Sequence, residues 1–306
     1  MQGADALPIA SLKACWRVLC QVAKSWLADY VPSMGAALAY YTMFSLAPLL
    51  LIVVSVAGLV FGEDAARGEI AAQLSALMGE RSAAAVQDFL TSVKQPDQDA
   101  SFSLLGVLLL IAGATTVFGE LQDALDRIWR VPPSIARSGW ITLLRTRLLS
   151  FGMVLAIGFL LVVSLVASTA LALLGRWGAP LFQGWYALAA SANALGSLVL
   201  VAAMFALIYK VMPRACVQWR DVWIGAVFTA ALFILGKFAI GWYVGQSGVA
   251  SGFGAAGSLL VVLLWVYYSA QIFLIGAEFT WVYANTYGSR RPALTANKPT
   301  GRQATA

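Results

Sequence analysis

Apolar residues in this chain do not alternate with polar ones; they come in long unbroken stretches. Uncharged runs cover residues 30–62, 100–119, 148–175, 177–209 and 238–277, with a shorter one over 222–236. About 20 apolar residues in a helix cross the ~30 Å hydrocarbon core of a bilayer. The run 238–277 is too long for one crossing and contains Gly245, Gly248, Gly252 and Gly254, so it divides there. The pattern predicts an all-α polytopic membrane protein with six transmembrane helices, at about 34–61, 102–119, 148–174, 187–209, 222–244 and 256–283. Without alternation inside the runs a β-barrel is not expected, and helices are the other way to satisfy backbone groups in lipid.

Between the runs the period changes to that of amphipathic helices. Leu12, Trp16, Leu19, Ala23, Leu27 and Tyr30 form one stripe, with Lys13, Arg17 and Lys24 off it. This predicts an interfacial helix on the cytoplasmic surface, set off from the first span by Pro32. Residues 62–101 form a large acidic outer loop, in which apolar residues recur at three and four and Gly79 divides two short helices. The second span continues as Glu120–Arg130, where Asp123–Arg127 and Asp126–Arg130 are spaced as i,i+4 pairs. That spacing predicts a solvated helix end, stopped by Pro132 and Pro133. The chain thus divides into an N-terminal amphipathic segment (1–32), a transmembrane domain (33–287) and a disordered basic tail (288–306).

Composition agrees and removes alternatives. The chain has 306 residues, 60% apolar and 11% charged, against roughly a quarter charged in a soluble domain. Charge placement sets the orientation. With both termini inside, fifteen of the twenty basic residues fall in inner segments and four in outer ones. The positive-inside rule then predicts a multi-pass membrane protein with both termini on the cytoplasmic side, N-in and C-in. No apolar leader precedes residue 30, so no cleaved signal is expected. Cys15, Cys20 and Cys216 all fall on the reducing side. The net charge of +6 is spread over four segments, which points to lipid contact rather than nucleic acid.

Candidate chemistry is sparse. The chain contains no histidine, which removes Ser-His-Asp catalysis, HExxH zinc sites and His-ligated haem. No CxxC or Walker A sequence occurs. The expectation is a protein with no metal, no cofactor and no enzymatic activity. Gly252-Phe-Gly254-Ala-Ala-Gly257 matches GxGxxG, but a dinucleotide site needs a preceding strand. Here the glycines open the sixth span. They can offer backbone N–H groups to an anion or let helices approach closely. Arg127, Arg145 and Arg147 are candidates for headgroup phosphates, the plainer reading being interfacial anchors.

Two charges lie inside apolar spans, where ionisable residues are functional candidates by default. Lys237 is in the fifth span and Glu278 in the sixth, at depths differing by about 12 Å, so no direct ion pair is expected. The first span adds Tyr40, Tyr41 and Ser45, and the sixth adds Tyr267, Tyr268 and Gln271. These helices are the most polar, and an internal cavity is expected between spans one, five and six, hydrogen bonding between helices being the plainer reading.

Ala36–Pro48 (AALAYYTMFSLAP), Ala114–Val131 (ATTVFGELQDALDRIWRV) and Gly245–Ala284 (GQSGVASGFGAAGSLLVVLLWVYYSAQIFLIGAEFTWVYA) resemble the YihY/BrkB family of bacterial inner-membrane proteins. The resemblance runs in order over about residues 10–288. Two departures are mild: Asp126 where Asn is common, and Phe253 where Tyr is frequent. The resemblance implies six spans and an envelope role but no defined activity. The ribonuclease BN label once given to members finds no catalytic residues here. The expected function is transporter-like or lipid-handling, with membrane lipids as partners; the alternative is a non-catalytic scaffold for an envelope protein.

Overall fold

The computed structural model describes residues 12–62, 68, 70–72, 74–75, 78–93, 116–132, 152, 185–246 and 256–290. Among these residues the fold is helical throughout and contains no strand. Three of the described helices contain segments long and apolar enough to cross a membrane: Ala194–Val211, Trp219–Val244 and Gly257–Thr286.

Helix α1 (Leu12–Ala28) and helix α2 (Val31–Phe61) are joined by two residues. Asp29 N–H still donates to Ser25 O at 2.8 Å, and Tyr30 then turns left-handed, φ 58. Pro32 lies in the first turn of α2, where its missing N–H costs nothing. It is part of the helix rather than a separator. At 31 residues, α2 is about 46 Å long and stops at Gly62, φ 84, a left-handed stop of the kind glycine accommodates.

The expected break in the outer loop is present. Gly79 has φ 84, and helix α3 (Glu80–Val93) starts after it with an acid in its first turn. Met78, Ala83 and Val86 of this region pack on Val262, and Ala85 packs with Ile240, Val244 and Val261.

Helix α4 (116–128) departs from expectation. Rather than a solvated end, it is a core element: Leu125 and Ile128 are fully buried, and Trp129 nearly so. They pack with Val31, Tyr209, Val222, Leu274 and Ala277 in the largest apolar cluster. Asp126 is not left to Arg130 either. Its carboxylate accepts from Arg214 N at 2.7 Å and from the Arg214 guanidinium at 3.0 Å. Gln122 donates to Met212 O at 3.2 Å. Helical spacing shows which residues share a face; it does not show that another segment covers that face.

Helices α5 (Trp185–Val211), α6 (Trp219–Gln246) and α7 (Gly257–Thr286) complete the described fold. Helix α7 is the hub, touching α1, α2, α3 and α6. Its contact with α6 is close because two glycine–threonine pairs interlock. A Cβ on Gly225 would strike Thr280, and one on Gly276 would strike Thr229 and the Tyr209 hydroxyl. Outward positions are apolar, including Leu195, Leu235, Phe238 and Trp242, each more than 60% exposed. These side chains suit a lipid surround.

Candidate functional site

The α1–α2 elbow rests on one face of α7. Gln271 fixes it from above: its Oε1 accepts from Trp26 Nε1 at 3.2 Å, and its Nε2 points at the carbonyls of Val31 and Pro32, at 3.5 and 3.4 Å. Gly35 makes room, since a Cβ there would collide with the Gln271 amide. Glu278 is seven residues further along α7, two turns on, and therefore on the same face.

Glu278 is completely buried, and neither carboxyl oxygen has a hydrogen-bond partner. The Asp29 side chain stands opposite it at hydrogen-bonding range. Asp29 Oδ2 is itself buried and unpartnered. Two groups that only accept when ionised therefore meet without a donor. The one cation in electrostatic reach of Glu278 among the described residues is Arg130, at the end of α4. Its guanidinium lies over the Trp281 ring, 4.1 Å from the centroid.

The backbone is unusual at the same place. Tyr30 and Arg130 are the two described non-glycine residues with positive φ, 58 and 52. One adjoins Asp29 and the other carries the cation. Such conformations are costly for side chains with a Cβ and tend to gather at functional sites. Arg127 extends the group outward, its guanidinium 5.7 Å from the Tyr30 ring centroid.

Several expected site residues join this face. Gln271 is a central contact, and Tyr267 lies beside it against Gly35 of α2. Tyr268 turns to α6, against Gly236. Ser45 is buried and donates to Thr42 O at 3.0 Å within its own helix. Tyr40 is 55% exposed, and its ring meets Tyr41 and Phe44 edge-on. Lys237 is half-buried, with Nζ 5.4 Å from the Phe238 ring centroid. Its neighbour Gly236 is level with Tyr268 and Ile272, six or more residues from Glu278. That is at least about 9 Å of helix rise, so the two charges are separate as expected. Gly257 is buried at the start of α7, whereas Gly252, Gly254, Arg145 and Arg147 lie outside the described residues.

Sequence reasoning missed Asp29 and Arg130 as partners of Glu278. Asp29 is 249 positions away in sequence, and nothing in local spacing marks it. The available signal was indirect: a buried glutamate on an apolar helix needs a partner, and an acid stands at the predicted end of the surface helix.

Comparison with known proteins places the chain. The profile described as Virulence factor BrkB matches residues 22–300. A UPF0761 membrane protein of Tolumonas auensis is 27% identical over 283 residues, covering 87% of this chain and 86% of the relative. UPF0761 membrane proteins of Pseudomonas aeruginosa and Azotobacter vinelandii are each 30% identical. They cover 89% and 90% of this chain, which spans only 64% of either relative's own length. No solved structure matches. With the matched region running from within α1 past the end of α7, the chain belongs to the BrkB family of membrane proteins.

Proposed function

We propose that this protein is a multi-pass inner-membrane protein, both termini cytoplasmic, that moves or rearranges anionic lipid at the cytoplasmic interface rather than catalysing a reaction. One observation supports it above the others: Glu278 is fully buried in an apolar helix with both oxygens unpartnered, where the surface helix joins the bundle. Evolved bundles rarely retain such a group without use, because an unpaired polar atom in hydrocarbon is costly.

The surroundings favour lipid. The face of α1 carrying Trp16, Leu19 and Leu27 is exposed, and Tyr30 continues it. Val22 and Ser25 are buried, and Trp26 makes the contact to Gln271. The apolar stripe read from the sequence is therefore the side free to enter a membrane interface. Arg127, exposed beside Tyr30, stands where a headgroup phosphate would lie.

The test is reconstitution into liposomes carrying a headgroup-labelled fluorescent phospholipid, with an impermeant reductant to report leaflet exchange. Wild-type protein is expected to expose label beyond the outer-leaflet fraction, and Glu278→Ala to return it to the protein-free value. Well-folded wild type that leaves the protein-free value unchanged overturns the reading and moves weight to a scaffold, to be sought by crosslinking.

A further inference from the structure

Glu278 and Asp29 raise a question that lipid handling does not answer: what holds two carboxyl groups face to face inside the protein? Each ionised carboxylate is an acceptor only. Glu278 is 0% exposed and has no donor at either oxygen, and the buried Oδ2 of Asp29 has none. Opposed like charges in a buried site cannot both stay ionised, which is why paired acids elsewhere share a proton. The local charges fit the same count. From the α1–α2 elbow comes Asp29, from α4 comes Arg130, and Arg127 lies further out against the exposed Tyr30 ring. Arg130 offsets one carboxylate, so one proton makes the group neutral.

We propose that Asp29 and Glu278 form a proton-binding site, holding a single proton between them and thereby docking the α1–α2 elbow onto α7. With the proton in place, one carboxyl donates to the other and the elbow is held. When it leaves, two negative charges face each other across the α1–α7 contact. Tyr30 and Arg130, both with positive φ, flank that contact. The site is independent of any lipid cargo and would exist in a protein that moves none.

The experiment is infrared spectroscopy of the full chain in lipid nanodiscs at neutral pH, reading the carbonyl stretch of protonated carboxylic acid and its shift in heavy water. Wild type is expected to show this band. Glu278→Gln removes it, and Asp29→Asn, which changes the hydrogen-bond partner, displaces it. If Glu278→Gln does not fold, Asp29→Asn decides: a displaced band supports the site and an unchanged one overturns it. Absence of the band in wild type also overturns it. Absence of the band together with stabilisation by sodium over choline chloride assigns the site to a metal cation instead.

Discussion

Two faces of α7, within a few residues of each other, are built on opposite terms. Gly276 and Thr280 face α6, and Glu278, two residues from each, faces the α1–α2 elbow. On the α6 side the buried hydroxyls of Tyr209, Thr229 and Thr280 each have a partner. Thr280 donates to Gly276 O and Thr229 to Gly225 O, both at 2.7 Å, and Tyr209 donates to Phe273 O at 2.6 Å. On the elbow side a carboxyl has none. The first face is the packing of a permanent contact. The second is left incomplete where helices meet at a strained two-residue joint. Small residues and satisfied hydroxyls make a helix pair rigid; an unsatisfied ionisable group makes the opposite face responsive to its surroundings.

Breaking the permanent face has the largest effect. Gly276→Val drives two methyls into Thr229 and Tyr209 and is expected to cost about 3 kcal/mol, read as loss of unfolding stability in mixed micelles. Tyr209→Phe, on the same face, deletes the hydroxyl that bonds both Phe273 O and Thr229 Oγ1 and costs about 1–2 kcal/mol, measured in the same way. Asp126 offers a control outside the spans. Burial raises its carboxyl above the ordinary 3.8, against the opposing pull of the contacts with Arg214. The native state therefore keeps a proton where the unfolded chain has lost it, and this group's contribution falls as pH rises from 3.8 through the folded value. Asp126→Asn removes that acid-side slope and costs about 1 kcal/mol at neutral pH. Glu278→Leu sharpens the contrast most. It removes one member of the proposed proton-sharing pair and the hydrogen bond that docks the elbow, at a cost of no more than about 1 kcal/mol, while leaflet exchange in liposomes falls to the protein-free value. Destabilisation on the scale of Gly276→Val would mean that both faces serve packing alone.

Much of this contrast was open to a reader of the sequence, but only one side of it. The expected spans 34–61, 187–209, 222–244 and 256–283 coincide within a few residues with α2, α5, α6 and α7. A long apolar run has few ways to satisfy its backbone, so its extent nearly defines the helix. The spans at 102–119 and 148–174 fall largely outside the described residues. Gly79 was legible because a left-handed turn selects glycine. Glu278 was legible because charge is rare in such runs. Its surroundings were not. Asp29, Arg130 and the Asp126–Arg214 pair depend on which helices become neighbours, and Asp126 and Arg214 are 88 positions apart. Local i,i+4 spacing offered Asp126 a nearer cation, and the tertiary fold overrode it by presenting both a backbone N–H and a guanidinium from one residue.

The joint between α1 and α2 has a mechanical consequence. Only Asp29 and Tyr30 separate the two helices, and no slack loop absorbs movement between them. With 17 residues, α1 is a rigid arm about 25 Å long. A rotation of about 10° at Tyr30 would sweep its Leu12 end through about 4 Å. Whatever tilts the arm at the membrane surface therefore applies torque directly to the first turn of α2, and any twist of α2 is amplified at the Leu12 end of the arm.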